Sequence, residues 1–183
     1  MARLVLVRHA EPTASWGGDH LDPGLSVTGR EQAEGVAATL ASRGPVPIVT
    51  SPLLRAQETA TPLARRWGLE PRRCPAVGEI ATPSGLSRPR VDWLRGVLAG
   101  GWPEVEPAAR RWRAELLDAV RAIDERTIVF THFVAINVVV GATTGDDRVW
   151  SCSPAHASVT EIDVEGPDLT LVNLGDQSPS RIG

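Results

Sequence analysis

Residues 1–12 read MARLVLVRHAEP. Residues 4–7 form an unbroken aliphatic run, the pattern of a strand covered on both faces in a parallel sheet, and it stops abruptly at Arg8-His9. The run is far shorter than the ~7–15 apolar residues of a signal peptide core or the ~20 of a membrane span, so a cytoplasmic chain with no membrane attachment is expected.

Working outward, the same strand-then-polar pattern returns twice. After a loop rich in Gly, Asp and Pro, Thr28-Gly29-Arg30-Glu31 fits a capping box, and the spacing predicts a helix from there to Arg43, closed by Gly44-Pro45. Residues 48–50 are a second short strand, after which Ser51-Pro52 offers an N-cap and a proline at the first helical position of a helix ending at Gly68. An amphipathic segment over 104–125 precedes a third aliphatic strand, 127–130, which runs into Thr131-His132 and an apolar helix over 133–140. Residues 158–164 and 169–174 alternate as two strands joined by a turn at Glu165-Gly166-Pro167-Asp168. Alternating strands and helices predict an α/β three-layer sandwich, with a mainly parallel central sheet and helices on both faces.

Length and composition agree with a single domain over 1–183: 42% of the residues are hydrophobic and 22% charged. A net charge of -3 lacks the positive excess of a nucleic-acid binder. All basic residues are arginine, and lysine and tyrosine are absent, which rules out Schiff-base lysine, Walker-type lysine and tyrosine nucleophiles. Cys74 and Cys152 form no CxxC pair and suggest neither a zinc site nor a disulfide framework. Residues 71–107, dense in Pro, Gly, Trp and Arg, read as an elaborated loop or cap.

Chemistry collects at the three strand ends: Arg8-His9, Ser51 with Arg55, and His132. Open α/β sheets bind ligands at the carboxyl ends of their strands, so these residues are expected to converge. Two arginines beside two histidines call for an anion, and a phosphoryl group or carboxylate matches the guanidinium fork. Arg55, in the first turn of its helix, adds the partial positive charge of free N–H groups. Metal ligation is the rival reading for His9, His20, His132 and His156, but no HxH or HxxxH spacing occurs and the arginines would repel a cation. Of the six tryptophans, Trp67 and Trp112 fall on apolar helix faces, while Trp93 and Trp102 lie where they could line a substrate pocket.

Taken in order, these motifs resemble the histidine phosphatase superfamily, which contains the cofactor-dependent phosphoglycerate mutases and many small phosphatases. LVRHAEP resembles the strand and Arg-His motif, LSVTGREQA the first-helix signature, and TSPLLRAQETA the segment carrying the second phosphate arginine. VGEI, FTHF and VNLGDQSP are similar to the proton-donor glutamate, the second histidine and the terminal strand. The resemblance spans nearly the whole chain and implies a phosphoglycerate mutase-like fold with residues 79–107 as a cap over the active site.

The resemblance also implies roles. His9 would be the phosphoryl-accepting nucleophile, Arg8, Arg55 and His132 would hold the phosphoryl oxygens, and Glu79 would be the proton donor, with Glu11 as its competitor. Two departures stand out near the nucleophile. Pro12 and Ser15 occupy positions where small polar residues often follow it; Pro12 has no donor, whereas Ser15 could still contact phosphate. Phe133 and Val134 stand where glycine is frequent. The implied function is metal-independent hydrolysis of a small phosphomonoester through a phosphohistidine, with no cofactor, by a monomer or homodimer. The alternatives are a mutase, disfavoured by the short chain and the missing lysine and tyrosine, and a non-catalytic phosphate-binding domain.

Overall fold

The computed structural model describes residues 1–14, 22–87 and 89–178. Among these residues six strands form one mixed sheet: β1 (Ala2–Arg8), β2 (Ile48–Thr50), β3 (Arg72–Arg73), β4 (Thr127–Thr131), β5 (Val159–Glu165) and β6 (Asp168–Asn173), in the order β3-β2-β4-β1-β5-β6. Pairing is parallel from β3 through β2 and β4 to β1, and antiparallel from β1 to β5 and β5 to β6.

Five α-helices among the described residues accompany the sheet: α1 (Val27–Ala41), α2 (Leu54–Trp67), α3 (Arg90–Ala99), α4 (Pro107–Arg121) and α5 (Phe133–Thr144). Strand side chains alternate between the two faces. Leu4, Leu6, Val49 and Val129 join a core with residues of α3, α4 and α5, and Val5, Val7, Ile48, Ile128 and Phe130 join a second core with α1 and α2. Both faces of the central strands are therefore dry, which explains why residues 4–7 carry no polar position.

Several local expectations change. Ser26, two residues before the expected Thr28, is the N-cap of α1, and its Oγ accepts the Gly29 N–H at 2.9 Å. The earlier cap lets Gly29 lie against the loop after β1, where a Cβ on residue 29 would come within 2.0 Å of the Glu11 carbonyl oxygen. Helix α2 starts at Leu54 with Leu53 as its N-cap, later than Ser51-Pro52 implied. Its C-terminus follows the sequence reading, with Gly68 left-handed at φ 64°.

The stretch over 71–107 is more ordered in secondary structure than a loop. It contains β3, a 3₁₀ turn at Pro75–Val77, α3 and a second 3₁₀ turn at Trp102–Glu104. The helix expected over 104–125 is confined to α4, Pro107–Arg121. Trp93 and Trp102 are core residues rather than pocket lining, both under 4% exposed. Trp93 keeps a partner for its indole N–H in the Glu106 carboxylate at 2.9 Å.

Candidate active site

Strand register assembles the site. Arg8 lies opposite Thr131 across the β1–β4 pair, and Thr50 lies opposite Phe130 across β2–β4. The next residue of each strand is thereby delivered to one carboxyl edge: His9, Ser51 and His132. The His9 N–H donates to the Thr131 carbonyl at 2.9 Å and the Ser51 N–H to that of Phe130 at 3.0 Å, which extends the ladder past the strand ends.

The His9 ring is almost fully buried, and its Nδ1 lies 2.8 Å from the Ala10 carbonyl oxygen. A carbonyl only accepts, so Nδ1 carries the hydrogen and Nε2 keeps its lone pair. Burial, reinforced by His132, Arg55 and Arg8, pushes the imidazole well below its ordinary pKa, so the ring is neutral. His132, fully buried with its ring centroid 5.2 Å from that of His9, is held neutral by burial and by Arg55 and Arg8. Its Nε2 sits 2.7 Å from Ser51 Oγ, and its buried Nδ1 has no protein partner among the described residues.

Arg55 emerges from the first turn of α2 with only 5% of its surface exposed. Asp22, which accepts the Leu54 N–H at 2.8 Å, lies 3.8 Å from the Arg55 guanidinium. Arg8 donates from Nη1 to the Pro154 carbonyl at 2.7 Å and from Nη2 to His156 Nε2 at 3.1 Å. Its guanidinium lies over the Phe133 ring at 5.1 Å, and its buried Nε–H has no protein partner among the described residues. Burial lowers its pKa to about 10, leaving it charged at neutral pH.

Glu79 follows the Pro75–Val77 turn, which Thr131 fixes by donating from Oγ1 to the Val77 carbonyl at 2.7 Å. The Glu79 carboxylate accepts the N–H groups of Ile80 at 3.0 Å and Val134 at 3.2 Å. Burial raises its pKa to about 7, against the pull of those N–H groups and of Arg55 and Arg8. Glu11 is committed elsewhere: its Oε1 accepts from Ser26 Oγ at 2.7 Å, at the N-cap of α1.

The structure thus brings Arg8, His9, Arg55, Glu79 and His132 together. Ser15, the remaining site residue expected from the sequence, lies outside the described residues, as does His20. Among the described residues no cluster of three or more His, Cys, Asp or Glu side chains could hold a metal ion, and no helix is long and apolar enough to cross a membrane. Three contributors were not legible as site residues: Thr59, which bonds the Ala10 N–H, Asp22, and His156, whose ring lies 5.6 Å from that of His9. The available signal for His156 was its place just before β5, because an antiparallel strand beside β1 starts where β1 ends.

The motifs and this geometry match known proteins. The family model for the histidine phosphatase superfamily (branch 1) matches residues 4–177. An uncharacterised protein of Mycobacterium tuberculosis is 35% identical over 188 residues, covering 91% of this chain and 92% of its own. A putative phosphoserine phosphatase 2 of Hydrogenobacter thermophilus is 27% identical over 200 residues, covering 99% and 98%. Among solved structures, a mycobacterial glucosyl-3-phosphoglycerate phosphatase in complex with inorganic phosphate superposes with a TM-score of 0.71 at 26% identity, over 97% of this chain and 98% of its own. With the family model spanning all but the ends of the sequence, the chain belongs to branch 1 of the histidine phosphatase superfamily.

Proposed function

We propose that the chain is a metal-independent phosphatase that hydrolyses a small phosphomonoester through a phosphohistidine on His9. The observation that carries this reading is the neutral His9 ring, whose Nδ1 is spent on the Ala10 carbonyl so that the Nε2 lone pair is left beside two arginines.

In the first step His9 Nε2 attacks phosphorus in line, a P–N bond forms and the P–O bond to the leaving group breaks. Arg8 and Arg55 hold the equatorial oxygens, supplying the positive charge that a loose phosphoryl transition state uses. Ser51 Oγ donates to His132 Nε2, and His132 Nδ1–H donates to a phosphoryl oxygen. That assignment supplies a partner for a buried donor that the described residues leave without one. Glu79, protonated at mildly acidic pH, gives its proton to the departing oxygen. In the second step the Glu79 carboxylate takes a proton from water, the oxygen attacks phosphorus and the P–N bond breaks. Inorganic phosphate and neutral His9 are released. Residues 79–107 are the proposed cap over this site in a single domain, acting in the cytoplasm as a monomer or homodimer.

The test is hydrolysis of p-nitrophenyl phosphate in EDTA, with rapid acid-free denaturation to trap labelled phosphoenzyme. Activity that survives chelation and an acid-labile phosphoenzyme absent from His9→Ala are expected. Activity that disappears with EDTA and returns with a divalent metal would overturn the mechanism. Phosphoryl transfer to a three-carbon acid faster than hydrolysis would replace the phosphatase with a mutase.

A further inference from the structure

Between α5 and β5 runs Ser151-Cys152-Ser153-Pro154-Ala155-His156-Ala157-Ser158, a segment the reaction above does not use. Its backbone is held from several directions. The buried Asn137 side chain accepts the N–H groups of Ser151 and Cys152, both at 2.8 Å. Gln177 accepts that of Ser153 at 2.7 Å, and the Asp176 carbonyl that of Ala155 at 2.9 Å. The Ser158 N–H then returns to the Ala155 carbonyl at 3.1 Å, closing a tight turn in which Ala157 is left-handed at φ 57°. Ala157 is the one non-glycine residue at positive φ among the described residues. Such a conformation persists only where the surroundings over-determine it.

The turn is docked on the residue before the nucleophile. Ala157 N–H donates to the Arg8 carbonyl at 3.1 Å, and Arg8 N–H donates to that of Ser158 at 3.2 Å. From this position the turn also grips the Arg8 side chain, through Pro154 O on Nη1 and His156 Nε2 on Nη2. A guanidinium has only donors, so Nε2 must present a lone pair and Nδ1 carries the ring hydrogen. Burial and Arg8 push the His156 pKa down to about 4, against a weaker opposite pull from Glu11, so the acceptor is uncharged at neutral pH.

An uncharged acceptor has a specific value here. An aspartate or glutamate could hold Arg8 as firmly but would cancel the charge that attracts phosphate, and a lysine or arginine could not accept at all. We infer that His156 is a positioning residue of the phosphoryl site, which fixes the Arg8 guanidinium against Phe133 and leaves its full positive charge for the phosphoryl group. This rests on the phosphatase reading above.

Orthovanadate is the probe, with its Kd measured by calorimetry on the full chain and kcat and KM measured with p-nitrophenyl phosphate. Loss of a hydrogen bond to a charged group corresponds to roughly a tenfold or greater change in a binding constant. His156→Ala is therefore expected to weaken vanadate about tenfold. His156→Asn, which keeps a neutral acceptor, should recover most of that loss, while His156→Asp should bind vanadate more weakly than His156→Asn. In an Arg8→Ala background, His156→Ala should add nothing. Equal losses in the two backgrounds, or wild-type affinity in His156→Ala, would overturn the assignment. Should His156→Ala fail to fold, the Asn and Asp pair decides: equal vanadate affinity for the two also overturns it. A wild-type chain that neither binds vanadate nor cleaves the aryl phosphate sinks the phosphatase reading and this inference with it. An active wild type unaffected by His156→Ala sinks the inference alone.

Discussion

Thr59 Oγ1 accepts the backbone N–H of Ala10 at 2.9 Å and donates to the Arg55 carbonyl at 2.6 Å. One buried hydroxyl on α2 thereby couples the loop that carries the nucleophile to the turn that carries the second arginine. Thr59→Val keeps the shape but leaves the fully buried Ala10 N–H without an acceptor, which costs about 1–3 kcal/mol. The expected result is a lower urea midpoint together with a fall in kcat/KM of roughly tenfold or more, and Thr59→Ser should retain most of both. A stable Thr59→Val protein with full activity would show that the coupling does not matter.

Glu79 should govern the alkaline side of the pH profile. Its pKa of about 7 keeps the carboxyl protonated at mildly acidic pH, so kcat/KM is expected to fall as pH rises through about 7. His9, held well below its ordinary pKa, stays neutral and nucleophilic at neutral pH, so the acidic limb should lie below the range of an ordinary histidine. Glu79→Gln should lower hydrolysis of an alkyl phosphate by about 10²–10⁴-fold and abolish the alkaline limb. Nitrophenyl phosphate, whose leaving group needs little protonation, should lose much less. An unchanged limb in Glu79→Gln would return the acid role to Glu11.

The strand ends were legible because a chain that buries both faces of its sheet must write uninterrupted aliphatic runs, and these stop where polar atoms are needed. Helix α3 was not, since Arg90–Ala99 starts after Pro89 with no side-chain cap and carries Arg95 and Gly96 among its apolar residues. Thr28 and Ser51 both matched local capping patterns. Glu11, brought against Gly29, moves the first cap to Ser26, whereas Ser51 Oγ still accepts the Leu53 N–H at 3.1 Å while it also bonds His132 from 81 residues away. His156 was visible only as one of four histidines, because its role depends on which strand β5 joins. Long-range pairing of that kind leaves no local trace.

Gly29 is a position where only glycine fits. A Cβ there would overlap the Glu11 carbonyl oxygen, which also accepts the Ser26 N–H at 2.9 Å, so neither partner can move without breaking the contact between α1 and the nucleophile loop. Gly29→Ala should therefore destabilise the fold by about 1–3 kcal/mol, although alanine is the better helix former. Thermal unfolding checks the sign. A Tm at or above wild type would mean that the loop gives way freely, and the activity of that variant would then report how much the loop's position matters.

The histidines also set the acid stability. In the unfolded chain each titrates near pH 6.5, whereas folded His9 and His132 titrate well below that and His156 at about 4. Below pH 6.5 the unfolded state binds protons that the native state refuses, so stability present above that pH is lost as pH falls toward the native values. Glu79 acts with opposite sign: its native pKa of about 7 exceeds the ordinary 4.5, so its contribution is complete below pH 4.5 and lost as pH rises to 7. Three groups outweigh one, and urea midpoints should drop between pH 6.5 and 5, with a limiting slope of about 1.4 kcal/mol per pH unit for each proton of imbalance. His156→Asn removes one of the three and should flatten that slope by up to one proton. Stability that holds level or rises from pH 6.5 to 5 would mean that these histidines are charged in the folded protein, and a charged His9 could not attack phosphorus.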